Sequence, residues 1–305
     1  MALPSVMVLP MLIVVAAGIY YIYNEILQYM SKSTVKNKVV VITDAVSGVG
    51  SECARLFHKG GARLILCGTS WDKMESLYDT LTSGSDPTVT FLPKLVLLDF
   101  SDMDSMPEVV NEVVECYGCV DVLVCNSSMK LKAPVHSISL DLDRHIMDIN
   151  YFGPSTLVKG VLPAMISRRS GHILLVNSIQ GRIAVPFRTS YSASKHAVQA
   201  FFDCLRAEVD EYGILVSTIS HTFINADPSS TSSTPQPQKG LRSYGVHPTN
   251  LANEIVRTVN RKNKEVLLAH PIPRIALYIR SFFPSFFFAV VAAGVKDSAM
   301  AEQML

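Results

Sequence analysis

The amino-acid sequence predicts an α/β fold built as a doubly wound parallel sheet, with helices on both faces of a single domain. Three observations predict it. Short apolar runs rich in Val, Ile and Leu recur along most of the chain, separated by amphipathic stretches. Those runs are apolar at almost every position rather than at alternate ones, as strands covered on both faces are. A glycine-bearing turn follows the first run and opens a helix, the start of a strand–crossover–strand unit.

Taken in order, Lys38-Val-Val-Val-Ile-Thr43 is the first strand, and the turn after it leads into a helix through His58. Arg63–Cys67 is a second strand with a helix over Trp71–Leu81, and Lys94–Leu98 is a third with a helix over Met106–Cys116. Val120–Val124 is the fourth, followed by a long helix over Leu140–Val158 that continues to Arg169. His172–Val176 is the fifth, followed by a helix from Ser190 to Tyr212, and Ile214–Ile219 is the sixth. A helix from Pro248 to Asn260 and a strand over Glu265–Ala269 complete the alternation. Between Asp227 and Gly240 runs a Ser/Thr/Pro-rich, low-complexity stretch, which reads as a mobile loop. No internal repeat is present. The organisation is therefore one α/β domain over residues 37–270, an apolar segment over 1–30 and a Phe-rich extension over 271–305.

Composition narrows the function. A chain of 305 residues can bury a substantial core without disulfides or metal. A net charge of +1 and the lack of a long Lys/Arg run argue against nucleic acid as a partner. A hydrophobic fraction of 49% excludes disorder as the main state. With only 17% charged residues and a mean hydropathy of +0.28, the chain is apolar for a soluble domain, and the excess sits at its two ends.

Ala2–Tyr23 contains no charged side chain, long enough for a membrane-spanning helix, although Pro4 and Pro10 weaken its first half. Tyr20, Tyr21 and Tyr23 fall where an interfacial aromatic belt is expected. The segment reads as an uncleaved anchor. A cleaved signal peptide, with Ala16 and Gly18 before the cut, and a buried core helix are the alternatives. Lys32, Lys36 and Lys38 after the run favour a cytosolic domain; a cleaved signal would make it lumenal or secreted. At the other end Ile272–Val295 carries Phe282, Phe283, Phe286, Phe287 and Phe288, but Arg274, Arg280 and Pro284 interrupt it. It is a poor spanning segment and reads equally as a surface-lying or lid segment and as aromatics packed on the core.

The six cysteines are scattered. Cys116-Tyr-Gly-Cys119 lacks a second pair or a His partner at zinc spacing and reads as reduced structural thiols. The eight histidines form no H-x-x-x-H pair, so no metal is expected; the lack of a G-x-S-x-G elbow argues against a hydrolase.

Two clusters carry chemistry. Thr43-Asp44-Ala45-Val46-Ser47-Gly48-Val49-Gly50 lies between a strand and a helix, where glycines let the backbone approach a pyrophosphate at a helix N-terminus. Asp44 stands where such a turn has its first glycine, and its carboxylate would repel a diphosphate. The second cluster is Tyr191-Ser-Ala-Ser-Lys195, with Ser178 at the end of the fifth strand. Tyr191 and Lys195, four residues apart, project from one helix face. An ammonium near a phenol favours phenolate, so Tyr191 can act as acid or base toward an alcohol or carbonyl while Ser178 hydrogen-bonds the same oxygen. Asn150, inside an amphipathic helix, reads alone as a satisfied packing or surface amide.

Across Asn37–His270 these residues resemble the short-chain dehydrogenase/reductase family. The resemblance implies a Rossmann-like domain binding NAD, with NADP not excluded. It implies Ser178, Tyr191 and Lys195 as catalytic, Lys195 also holding the nicotinamide ribose, and Asn150 keeping a proton-relay water in place. The phosphate turn (Thr43, Ser47, Gly48, Val49, Gly50), Asp99 against the adenine and Asn126 beside the central strand would serve the cofactor. A lipophilic, retinol-like alcohol or its carbonyl as substrate, a reticulum membrane (endoplasmic or sarcoplasmic) as location with membrane lipid as a contact, and a homodimer are further implications. The departures are Asp44, Cys125-Asn126-Ser127-Ser128 in place of Asn-Asn-Ala-Gly, Ser220-His221-Thr222 in place of Ser-Pro-Gly, and Ala226 at a hydroxyl position. After the second strand, Gly68-Thr69-Ser70 offers neither an acid for a ribose nor an arginine for a 2′-phosphate. Two readings follow: a membrane-associated NAD(P)-dependent oxidoreductase, and a non-catalytic membrane scaffold on a degenerate dehydrogenase fold.

Overall fold

The structure, a computed structural model, describes residues 11–12, 14–23, 35–86, 88–224 and 245–303, with side chains as far as residue 295. The low-complexity stretch, Ala226, Pro4, Pro10 and Lys32 lie outside the described residues.

Seven strands form one parallel sheet: β1 (Val39–Ile42), β2 (Arg63–Gly68), β3 (Lys94–Leu97), β4 (Val122–Cys125), β5 (Gly171–Ser178), β6 (Ile214–His221) and β7 (Glu265–Leu268). Their order is β3-β2-β1-β4-β5-β6-β7. The direction of winding reverses between β1 and β4, so a crevice opens beyond the carboxyl ends of those two strands. β1 and β4 are buried at every position, which is why their sequences are apolar throughout.

Helices cover both faces. On one side α1 (Gly48–Lys59), α2 (Trp71–Thr82) and α7 (Pro248–Arg261) flank a core containing Val40, Ile42, Phe57, Leu64, Leu174, Leu251 and Ile255. On the other, α3 (Met106–Glu115), α5 (Gly153–Arg168) and α6 (Thr189–Glu208) enclose Val41, Leu123, Leu157, Ile173, Val198 and Phe202. The two strand faces feed opposite cores because successive side chains alternate across the sheet.

The helix expected over Leu140–Arg169 is not continuous. It consists of α4 (Leu140–Met147), a π-helical turn over Asp148–Phe152 and then α5. A π turn inserts one extra residue and displaces a side chain from the regular helix face. Here the residue at its centre is Asn150, whose amide bonds outside its own helix.

At the C-terminus α8 (Pro271–Phe282) and α9 (Pro284–Gln303) fold back on the domain. One of the five phenylalanines of the stretch packs on the domain and four do not. Phe287 packs with Ile179 and Ile183, while Phe282, Phe283, Phe286 and Phe288 face outward. Near the N-terminus, residues 14–23 are helical, and Val14, Ile19, Tyr20, Tyr21 and Tyr23 are exposed. Among the described residues no helix is long and apolar enough to cross a membrane.

Candidate active site

The phosphate turn is closed by its own side chains. Ser47 caps α1, its hydroxyl accepting from Gly50 N at 3.1 Å and donating to Asp44 O at 2.8 Å. This leaves the amides of Gly48 and Val49 as first-turn donors, and an α-helix start is a ready anion site. At Gly50 a Cβ would lie 2.2 Å from Asp44 O, so only glycine lets the turn fold this tightly. Asp44 occupies the left-handed region at φ 49°, which Asp tolerates better than most residues. Its carboxyl is pushed up to about 6 by burial, opposed by Ser47 and by the charge of Lys73.

Thr43 and Asn126, the residues just beyond β1 and β4, join the two sides of the crevice. The Thr43 hydroxyl accepts from Asn126 N at 2.9 Å, Ser127 N at 3.2 Å and Ser127 Oγ at 3.0 Å. Thr43 is fully buried, so its side chain fixes the crevice rather than reaching into it. Asn126 Nδ2 donates to Ser47 Oγ at 3.0 Å and in this way holds the turn against β4.

A cavity of about 210 Å³ opens beside the turn, lined by Asp44, Gly68, Thr69, Asp99, Ser128 and their neighbours. Asp99 Oδ1 accepts from the amide and hydroxyl of Ser101 at 2.8 and 2.7 Å, which sets its orientation. Ser128 Oγ is buried and has no partner within the protein. A buried hydroxyl so placed on a cavity wall calls for a hydrogen bond from a ligand.

The second cluster lies beyond the ends of β5 and β6. Ser178 ends β5 opposite His221 at the end of β6. Its Oγ accepts from Gln180 N at 3.1 Å, which leaves its own O–H to donate. Tyr191 and Lys195 lie on α6, with Lys195 Nζ 5.9 Å from the centre of the Tyr191 ring. Tyr191 is 3% exposed and Lys195 is 1% exposed. Burial pushes the Lys195 ammonium down to about 7, and the charge of Lys130 adds to this. Asn177 ties the strand end to the helix, donating to Lys195 O at 3.2 Å and Gln199 Oε1 at 3.0 Å. Gly181 allows this docking, because a Cβ there would lie 2.6 Å from Lys195 O.

Asn150 joins this cluster through its side chain. Its Oδ1 accepts from Met129 N at 2.8 Å, and its Nδ2 donates to Met129 O and to Ser194 Oγ, both at 2.9 Å. Ser194 Oγ in turn donates to Tyr191 O at 2.8 Å. The amide thus clamps the segment following β4 to the helix carrying Tyr191.

Ser178 and Tyr191 open into a second, apolar cavity of about 400 Å³. Its walls include Ile179, Ile183, Val185 and Phe223, and α8 and α9 close it with Ile272, Ala276, Phe287 and Val291. The chemistry available is proton exchange with an oxygen held between Ser178 and Tyr191, in a greasy chamber next to the crevice.

A family model described as short chain dehydrogenase matches residues 38–237. The chain belongs to the short-chain dehydrogenase family. It is 67% identical to dehydrogenase/reductase SDR family member 7C-A of Danio rerio, over the whole of both chains. It is 55% identical to dehydrogenase/reductase SDR family member 7C of Homo sapiens, with 97% of each chain covered. Among solved structures it resembles a metagenomic short-chain oxidoreductase in complex with NADP, at a TM-score of 0.63 and 22% identity. That match covers 77% of this chain and 98% of the other, and it bears on the fold alone.

As a member of the short-chain dehydrogenase family the protein is an oxidoreductase with a Rossmann-like domain. The fold brings Ser178, Tyr191 and Lys195 together, and joins Asn150 to them through Ser194. The turn residues Ser47, Gly48, Val49 and Gly50 gather with Thr43, Asn126 and Asp99 around the crevice. Sequence reasoning missed Ser194, Asn177 and Gly181, whose roles depend on distant partners. It also missed Phe287 as a cavity wall. The spacing of Gly181 three residues beyond Ser178 was the one available signal. Among the described residues no group of His, Cys, Asp or Glu is arranged to hold a metal, and all six cysteines are free thiols.

Proposed function

We propose that the protein is a membrane-associated, NAD-dependent oxidoreductase that interconverts a lipophilic alcohol and its carbonyl. The observation that carries this reading is the apolar cavity with Ser178 and Tyr191 as its polar floor. A cofactor fits the crevice on the protein's own features: the Gly50 cradle, the helix start at Gly48 and Val49, and the unpartnered Ser128 hydroxyl. The residues that would hold it are Ser47, Gly48, Val49, Gly50, Asp99 and Lys195, with Thr43 and Asn126 fixing the walls. NAD is favoured over NADP because Asp44 and Asp99 line the smaller cavity and no cation does, an environment that disfavours a 2′-phosphate.

Bound nicotinamide would accept or deliver the hydride. The residues of this chain handle the proton and the orientation. Ser178 donates to the substrate oxygen and fixes its position. Tyr191 takes the hydroxyl proton during oxidation or returns it during reduction. Lys195, its ammonium nitrogen 5.9 Å from the centre of the Tyr191 ring, is placed to offset negative charge that develops on the phenol oxygen as the proton moves. Asn150, through Ser194, holds the helix that presents Tyr191.

Support for the membrane comes from the apolar ends: exposed Ile19, Tyr20, Tyr21 and Tyr23 on one and exposed Phe282, Phe283, Phe286 and Phe288 on the other. The Lys-rich stretch after the first segment favours a cytosolic domain on a reticulum membrane. A retinol-like compound is the substrate form that the resemblance favours.

Titration of the purified protein with NADH, followed by nicotinamide fluorescence, tests the reading. Saturable binding with a higher affinity than for NADPH is expected. No saturable binding at millimolar cofactor would overturn it in favour of a non-catalytic scaffold. Protease protection in sealed microsomes tests topology, with digestion of the domain expected.

A further inference from the structure

The apolar cavity is lined by two basic side chains that the reaction does not use. Lys130 and Arg188 both line it, no Asp or Glu does, and neither cation forms an ion pair among the described residues. Arg188 instead lies over the Phe223 ring, its guanidinium carbon 5.5 Å from the ring centre. Partial burial, and then the charge of Arg188, lowers the affinity of Lys130 for its proton; Lys195 and His221 are lowered chiefly by burial, with the charge of Lys130 adding to it. Lys130 is exposed and Arg188 half-buried, so both charges border the apolar space where an incoming anion can reach them.

Their placement is built, not incidental. Met129, the residue before Lys130, is gripped on both its N–H and its C=O by the side-chain amide of Asn150. Three residues after Lys130, Ala133 N donates to Phe187 O at 2.8 Å, which ties this segment to the turn carrying Arg188. Phe187 itself is in the left-handed region at φ 63°, a strained backbone next to Arg188. The segment bearing Lys130 is therefore held to the helix bearing Tyr191 by Asn150 and Ser194. Neither cation lines the smaller cavity beside the phosphate turn, so the anion they face is not one that sits there.

We propose that Lys130 and Arg188 form a carboxylate-recognition subsite, so that the preferred substrates are lipophilic hydroxy or oxo acids with the reacting oxygen at Ser178 and Tyr191. The subsite rests on the oxidoreductase reading for its substrate class. It keeps the lipophilic chain and the reacting alcohol or carbonyl of that reading but adds a carboxylate, in place of the neutral retinol-like form that the resemblance alone favours. Arg188 offers a fixed planar fork and Lys130 a mobile point charge, a pair that grips a carboxylate while leaving its chain in the apolar space.

The test compares a long-chain oxo fatty acid with its methyl ester, which keeps the same carbonyl and chain. Calorimetric binding of each to the full-length protein saturated with NADH is measured first. The acid is expected to bind about tenfold more tightly than the ester, the scale of one charge-assisted contact. Lys130→Met should remove most of that preference and Lys130→Arg should retain it, while the affinity for NADH stays the same in all three. An ester that binds as tightly as the acid, or a Lys130→Met variant that keeps the preference, would overturn the proposal. Loss of NADH affinity in Lys130→Met would assign the lysine to the cofactor and also overturn it. Turnover is measured separately. Selective, Lys130-dependent binding of the acid without turnover would defeat the oxidoreductase reading and leave the subsite standing.

Discussion

Asn150 Nδ2 lies 2.9 Å from Ser194 Oγ, linking a π-helical turn to the N-terminal part of the helix that presents Tyr191. The same amide grips Met129 on both sides, so a single side chain connects three segments around the site. Asn150→Ala is expected to destabilise the protein by about 2–4 kcal/mol, since it leaves the half-buried N–H and C=O of Met129 without partners and removes the donor to Ser194 Oγ. Ser194→Ala removes only the link to α6 and should cost about 1 kcal/mol. Chemical denaturation of both variants checks this. Equal losses would mean that the grip on Met129 contributes nothing.

Tyr191→Phe keeps the ring and removes only the proton donor. Turnover should fall by at least about 10²-fold, the usual contribution of general acid–base catalysis. NADH binding should stay nearly intact. Steady-state rates with a fluorescence titration on the same sample decide it, and undiminished turnover would remove Tyr191 from the mechanism.

Asp44 makes cofactor binding depend on pH. Its carboxyl titrates at about 6, above the ordinary range, so it is ionised at neutral pH and repels a diphosphate. Protonation relieves the repulsion, and affinity for NADH should rise as pH falls through about 6. Asp44→Asn keeps the left-handed backbone accessible. It should tighten binding at pH 7 by about 1 kcal/mol and flatten the pH profile. Calorimetry in buffers of different ionisation enthalpy should detect proton uptake on binding to the wild type and none in the variant.

Lys195 makes stability depend on pH. Its folded value of about 7 lies below the 10.5 of an unburied lysine. Between those values the unfolded chain binds a proton that the folded chain does not, so stability falls as pH drops from about 10.5 to about 7 and the cost is complete below that. Lys195→Met should therefore raise the melting temperature of the cofactor-free protein, most at pH 7 and least near pH 10. Scanning calorimetry across this range checks the difference, and an increase independent of pH would show that Lys195 is not buried as a strained cation.

The sheet was legible in the sequence because strands buried on both faces are written as uninterrupted apolar runs, as in Val39–Ile42 and Val122–Cys125. The chemistry was legible where it is local. Tyr191 and Lys195 share a helix face, and Gly48 and Gly50 open a helix after a strand. What escaped was set by distant partners. The π turn at Asn150 depends on Met129 and Ser194, 21 and 44 residues away in the chain. Thr43 looked like a cofactor contact, but its hydroxyl is taken up by Asn126 and Ser127, across 83 and 84 residues. No spacing rule records such pairings, because the sheet, not the helix or turn, brings them together.

The outer wall of the apolar cavity is supplied by Ile272, Ala276, Phe287 and Val291, all later in the chain than every residue that handles the proton. The outer apolar wall and the reacting residues are thus encoded in separable stretches, whereas Lys130 and Arg188 lie among the segments that carry the reaction. Substitutions in α8 and α9 can reshape what the chamber admits while leaving Ser178, Tyr191 and Lys195 in register. A relative that exchanged only its last few dozen residues would inherit an unaltered reaction with a new clientele.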